Sequence, residues 1–135
     1  MGTSGHVIVV HHVPMIVEAI DMALAVQGFT VYPAQSFRDA KALLTFVGSN
    51  LLAVVAYADM PNQPQPGSLL RMVRKSHPHA ALVVLSAREK GALGRLPVKS
   101  VLLREPFDRA ELLAAITSAA RLLDGAQPAA STGRS

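Results

Sequence analysis

Four stretches of the sequence hold side chains that could do chemistry. The residues are His11, His12, Tyr57, Asp59, Ser86 and Glu105. Imidazoles beside carboxylates can transfer protons or bind a transition metal, and a serine becomes a nucleophile when a base activates it. No G-x-S-x-G sequence surrounds Ser86, so a serine hydrolase is not expected. The chain has no cysteine, which excludes a thiolate metal site and a cysteine nucleophile.

The adjacent pair His11 and His12 suggests either a metal site or a pH-dependent contact. Two imidazoles with distant carboxylates form an incomplete ligand set, so His11 and His12 are only weak metal candidates and no cofactor is expected. A carboxylate neighbour such as Glu105 would raise a histidine pKa, which would let the pair sense pH. Neighbouring strand residues point to opposite faces, so the two rings converge only if the chain turns there.

The elements that must position these residues follow from the apolar pattern. Short runs that are apolar at almost every position predict strands at 7–10, 51–55, 81–85 and 101–103, and a weaker strand is predicted at 29–32. Amphipathic helical patterns alternate with them, and Ser36 and Asp108 are the predicted helix caps. This alternation predicts an α/β sandwich with a central parallel sheet, whose functional crevice lies at the carboxyl ends of the strands.

Length and charge limit the classes of protein. The 135 residues suit one domain, predicted at 5–124, followed by a disordered tail at 125–135. The longest apolar run is too short to cross a bilayer and no signal peptide is visible, so a cytoplasmic protein without membrane contact is expected. Residues 71–135 hold eleven basic and five acidic side chains, but only six aromatics occur in the whole chain. Nucleic-acid binding is therefore not favoured.

The residues after the predicted strands carry a family resemblance. His-His-Val-Pro follows the first strand, Tyr-Ala-Asp-Met-Pro the third, Ser-Ala-Arg the fourth and Arg-Glu-Pro-Phe the fifth. This frame resembles the receiver domain of bacterial two-component response regulators over about residues 5–124. The resemblance implies a flavodoxin-like (βα)5 sandwich with a five-stranded parallel sheet in the order 2-1-3-4-5. The segment between Ser86 and Pro106 is short, so the fourth helix is expected to be stunted or missing.

The receiver resemblance also defines a phosphorylation pocket, whose chemistry this sequence lacks. His11 and His12 replace the acidic pair that holds Mg²⁺, and neutral imidazoles are poor Mg²⁺ ligands. Tyr57 stands at the position of the phosphoryl-accepting aspartate, and Glu105 replaces the lysine that steadies the phosphoryl oxygens. Only Ser86 matches the pattern. Asp59, two residues past the acceptor position, is expected to be a solvated loop carboxylate.

The resemblance implies a non-enzymatic function. We expect a stand-alone pseudo-receiver of two-component or phosphorelay signalling that is not phosphorylated on aspartate. It would bind a histidine kinase, a regulator or another signalling protein. The expected binding face comprises Arg95, Lys99, Leu102 and Arg104; a homodimer through the fourth helix, fifth strand and fifth helix is the related possibility. The alternative is a small-ligand, metal or pH sensor that uses a crevice formed by His11, His12 and Glu105.

Overall fold

A computed structural model describes residues 5–88 and 93–125. Its core is a five-stranded parallel sheet with the strand order β2-β1-β3-β4-β5. The strands are β1 (His6–Val10), β2 (Thr30–Ala34), β3 (Leu51–Tyr57), β4 (Ala81–Ser86) and β5 (Ser100–Arg104). The helices are α1 (Pro14–Val26), α2 (Phe37–Val47), α3 (Ser68–Ser76) and α4 (Arg109–Gly125), and a 3₁₀ turn (Gly48–Asn50) precedes β3. The predicted fold class and strand order are confirmed.

The sheet is buried on both faces because its central strands are apolar at nearly every position. One face packs under α2 and α3 and includes Ile8, Val54 and Leu82. The other face packs under α1 and α4 and includes residues one position along, such as Val9 and Val83. Successive strand residues point to opposite faces, so a continuous apolar run supplies both cores at once.

Two helices begin at the predicted caps. Ser36 Oγ accepts the backbone N–H of Asp39 at 3.0 Å, which satisfies one of the free donors at the start of α2. Asp108 and Glu111 form a reciprocal pair at the start of α4: each side chain accepts the other residue's backbone N–H, at 2.8 and 2.9 Å. These caps fix where α2 and α4 leave the ends of the neighbouring strands.

The connection between β4 and β5 departs from a regular (βα)5 pattern. Residues 87–88 and 93–99 are the described part of this connection, and they contain no α-helix. The expectation of a stunted or missing fourth helix therefore holds for that part, and residues 89–92 lie outside the described residues. Leu93 and Leu96 pack against the α2/α3 side of the core. The helix that follows β5 is therefore labelled α4.

Three other sequence expectations differ in detail. The second strand is displaced to Thr30–Ala34, and β3 runs to Tyr57, so Tyr57 is the last residue of its strand. The final helix extends to Gly125, while residues 126–135, most of the predicted tail, lie outside the described residues. Within the described chain no helix is long and apolar enough to cross a membrane.

Candidate functional site

The candidate site lies at the carboxyl ends of the three central strands, β1, β3 and β4, and of the edge strand β5. Tyr57 and Ser86 end β3 and β4, His11 follows β1, and Glu105 follows β5. Backbone hydrogen bonds prolong the sheet past its ends, from His11 N–H to Ala34 O at 3.1 Å and from Glu105 N–H to Ser86 O at 2.8 Å. The residues that the sequence analysis singled out therefore come together because parallel strands end at one edge.

Three aromatic rings stack at the centre of this site. The His11 ring lies 4.2 Å from the Tyr57 ring and 5.2 Å from the His12 ring, centroid to centroid, and both pairs are stacked. The His12 and Tyr57 rings are also 5.2 Å apart. The chain bends at His12, which brings two neighbouring imidazoles to one side. His11 is 1% exposed, whereas His12 is exposed.

Both ring nitrogens of His11 are engaged. Nδ1 accepts the backbone N–H of Val13 at 3.2 Å, so this nitrogen carries no proton. Nε2 therefore carries the ring proton and donates it to Glu105 Oε2 at 3.0 Å. These two hydrogen bonds define a neutral imidazole. The His11 ring thereby connects the start of α1 to the loop between β5 and α4.

The electrostatics agree with a neutral His11. Burial lowers the pKa of His11 below its usual 6.5, and this effect outweighs the hydrogen bond and charge of Glu105, which raise it. Glu105 raises the pKa of His11 as the sequence predicts, but the net shift is downward because desolvation, which the sequence analysis did not include, is the larger effect. A salt bridge in the strict sense is therefore absent between His11 and Glu105 at neutral pH.

Tyr57, which the sequence analysis predicts at the phosphoryl-acceptor position, is a neutral phenol in this structure. Burial raises the pKa of Tyr57 above its usual 10.0, and the negative charges of Asp59 and Glu105 raise it further. A protonated phenol is a weak nucleophile and cannot form an acyl phosphate. Its ring serves instead as the flat surface on which His11 stacks.

Ser86 is fully buried, and its hydroxyl forms a hydrogen bond with the backbone. Its Oγ accepts the N–H of Arg88 at 2.9 Å, a local turn that shapes the start of the β4–β5 connection. The hydrogen bond described for the Ser86 side chain is this one to a backbone N–H, and it does not join the hydroxyl to a side-chain base.

Asp59 makes an ion pair that the sequence analysis missed. Its carboxylate receives two hydrogen bonds from the Arg88 guanidinium, at 2.7 and 3.1 Å. Asp59 is the exposed loop carboxylate that the sequence predicts, but its ion pair with Arg88 was not predicted. A signal was present: Tyr57 pairs with Leu85 on adjacent parallel strands, and Asp59 and Arg88 follow those residues at nearly the same distance along the chain. The pair ties the β3–α3 loop to the β4–β5 connection.

The basic residues of the predicted partner face are on the surface. Arg95, Lys99 and Arg104 are exposed, whereas Leu102 is half-buried and packs against the α2/α3 side of the core. The backbone at Lys99 adopts a left-handed conformation, with φ of 59°, and its carbonyl accepts a hydrogen bond from Arg74 at 3.5 Å. Leu102 therefore contributes less exposed surface to the predicted partner face than the three basic residues do.

The described residues do not provide a metal site. Across 5–88 and 93–125, no group of three or more His, Cys, Asp and Glu side chains is arranged to hold a metal ion. His11 has no free ring nitrogen for a ligand bond, because Val13 and Glu105 occupy both. His12 alone would have to supply the imidazole.

Comparison with known proteins identifies solved structures that share this fold. No protein-family model and no curated protein matches the chain. Solved structures do match: a response regulator receiver domain protein from Clostridium thermocellum is 23% identical, with a TM-score of 0.73, over 87% of this chain and 94% of that one. A response regulator receiver protein from Sinorhizobium medicae is 21% identical, with a TM-score of 0.74, over 90% and 95%.

A third similar structure is the signal receiver domain of an HD domain-containing protein from Pseudomonas fluorescens. It is 19% identical, with a TM-score of 0.75, over 94% of both chains. At these identities the likeness concerns the fold, and the chain has the fold of response regulator receiver domains. The resemblance inferred from the sequence is confirmed at that level.

Proposed function

We propose that this protein is a receiver-fold module of two-component or phosphorelay signalling that acts by binding another protein and is not phosphorylated on aspartate. The observation that carries this proposal is the filled pocket. Three stacked rings and a histidine–glutamate hydrogen bond occupy the strand ends where a receiver would bind Mg²⁺ and phosphate. This arrangement has neither the carboxylate nucleophile nor the carboxylate metal ligands that phosphoryl transfer requires.

The filled pocket also supports a non-enzymatic role. Phosphoryl transfer needs a positioned nucleophile, a metal and a cation near the transferred oxygens. Tyr57 is neutral, His11 has no free nitrogen, and Glu105 would repel a phosphoryl group. Arg88, whose charge acts on Tyr57, is already paired with Asp59.

Reaction with acetyl phosphate tests the first part of the proposal. The native chain with Mg²⁺ should remain unmodified in intact-mass measurements, and beryllofluoride should leave its amide NMR spectrum unchanged. The control is a variant that restores the receiver set, with His11→Asp, His12→Asp, Tyr57→Asp and Glu105→Lys. A phosphorylated native chain would refute the proposal, whether or not the restored variant folds.

The protein-binding part of the proposal concerns the basic face. Arg95, Lys99 and Arg104 present exposed cations beside one another along the chain, which favours an acidic partner surface. A homodimer through this face would bring those cations against their own copies, which disfavours it. We therefore assign the face to a different signalling protein, such as a histidine kinase or a regulator.

A charge-reversal pair tests this face. Arg95→Glu with Lys99→Glu should weaken binding to a purified kinase or regulator partner at least tenfold. Arg38→Glu with Lys41→Glu makes the same charge change on the exposed side of α2 and is the matched control. Equal binding by both variants would show that the face is not used.

The hydrogen bonds of His11 weigh against the alternative of a metal or small-ligand sensor that uses the crevice of His11, His12 and Glu105. His11 is buried with both nitrogens bonded, and Glu105 is its hydrogen-bond acceptor. A ligand would have to break this network before it could bind. A titration with Zn²⁺ that shifted the ring signals of His11 at stoichiometric concentration would reverse this preference.

A further inference from the structure

Helix α1 is apolar on two opposite sides. Val17, Ile20 and Leu24 are buried and face the sheet. On the outer side, Met15 is 78%, Met22 69% and Val26 72% exposed, and the exposed Ala19 lies between them. A contiguous apolar surface that faces solvent commonly marks an interaction site. We call Met15, Ala19, Met22 and Val26 the outer stripe.

The outer stripe has the spacing of a helix–helix contact. Its members follow one another at steps of four, three and four residues, as the a and d positions of a heptad do. The stripe adjoins an open groove of about 670 Å³ between α1 and α4, to which Met15 and Ala19 also belong. The apolar surface therefore continues beyond the stripe toward Phe107 and Leu112.

We propose that the outer stripe is an interface between two copies of this chain, with the two α1 helices packed antiparallel. The sizes of the side chains support this arrangement. A two-fold axis at the middle of α1 places Met22 opposite Ala19 of the other copy, and Met15 opposite Val26. Large residues then meet small or medium ones. In a parallel pair Met22 would meet Met22 while Ala19 met Ala19, which overfills one layer and leaves a void in the next.

The charges of α1 are compatible with this pairing. Its only ionisable residues are Glu18 and Asp21, and both lie on one flank of the helix, outside the stripe. The two-fold axis that pairs Met22 with Ala19 places Glu18 level with Ala23 of the other copy, and Asp21 level with Ile20. No acid therefore lies directly opposite another acid, in contrast to the like charges that would meet at the basic face around Lys99. The inference is independent of the proposed function, because it uses neither the strand-end site nor the basic face.

The size of the contact sets the expected strength. One 13-residue helix from each copy buries less than about 1,200 Å², which is the range of weak and transient interfaces. Association is therefore expected at micromolar concentrations and should be measured by sedimentation equilibrium from about 5 to 500 μM. A chain that remains monomeric over this range would overturn the proposal.

A charge placed in the stripe provides the mutational test. Met22→Glu should weaken self-association at least tenfold, because the carboxylate would lose its water in an apolar contact. Phe46→Glu makes the same kind of change at another exposed apolar side chain, on α2, and should leave association unchanged. If both variants associate like the native chain, the copies meet elsewhere and the proposal fails.

Cross-linking tests the direction of the helices. The chain has no cysteine, so Ala19→Cys and Met22→Cys each introduce a single thiol. In the antiparallel pair, a mixture of the two variants should be cross-linked by a short bis-maleimide faster than either variant alone. Faster cross-linking within the separate variants would indicate parallel helices and contradict the arrangement. Equal, negligible cross-linking in every sample would contradict the interface itself.

Discussion

The protonation state of His11 predicts how the free energy of unfolding depends on pH. Folding holds His11 neutral, with its pKa below the usual 6.5, because the ring is buried and Val13 N–H needs Nδ1 as an acceptor. The unfolded chain therefore binds more protons than the folded one at mildly acidic pH, and stability rises with pH in that range. The stabilisation from His11 is fully present above pH 6.5 and is lost as pH falls through the lower folded pKa.

The contribution of His11 to the pH dependence of the free energy of unfolding has an upper limit. If folded His11 stays neutral down to pH 5.5, protonation of the unfolded state removes at most about 1.4 kcal/mol by that pH, and about 0.2 kcal/mol at pH 7. Other groups titrate in the same range, so the effect must be isolated by difference. His11→Gln keeps an amide donor for Glu105 and removes the titration. The free energy of unfolding of the native chain, minus that of His11→Gln, should fall by up to about 1.2 kcal/mol between pH 7 and pH 5.5.

Urea unfolding at several pH values measures this difference, with His79→Gln as the control at an exposed loop histidine outside the ring stack. Nitrogen NMR of the His11 ring should show the proton on Nε2 at neutral pH. The reasoning is refuted if the native chain gains stability over His11→Gln as the pH falls. That sign would mean that the charge of Glu105 outweighs burial and that His11 forms an ion pair.

Three further predictions concern the scaffold of the site. Leu82→Ala should reduce the free energy of unfolding by about 2–5 kcal/mol in urea titrations, because Leu82 is fully buried in the central sheet; a loss below about 1 kcal/mol would contradict the described packing. Ser36→Ala should cost about 1 kcal/mol by loss of the α2 cap, whereas Ser36→Asp should retain stability, and equal loss in both would argue against capping. A double-mutant cycle of Asp59→Ala and Arg88→Ala should give a small coupling that weakens in salt, since both side chains are exposed to solvent; a coupling that salt leaves unchanged would contradict this exposure.

The sequence alone determined the fold of this protein. The β-branched and aliphatic runs that form β1, β3 and β4 are apolar at nearly every position, and only a strand buried on both faces tolerates that pattern. The polar caps at Ser36 and Asp108 marked the starts of two helices, because a helix start leaves backbone N–H groups that short polar side chains can satisfy. The grouping of His11, Tyr57, Ser86 and Glu105 followed from the parallel topology.

The tertiary structure decided how those grouped residues interact. Burial of His11 and its bond from Val13 set a neutral ring, and neither quantity can be obtained from residue types. The Asp59–Arg88 pair depended on the register of β3 against β4, and the convergence of His12 on Tyr57 depended on a single bend. The exposure of the outer side of α1 was equally hidden, because an apolar helix pattern does not show which of its faces the sheet covers.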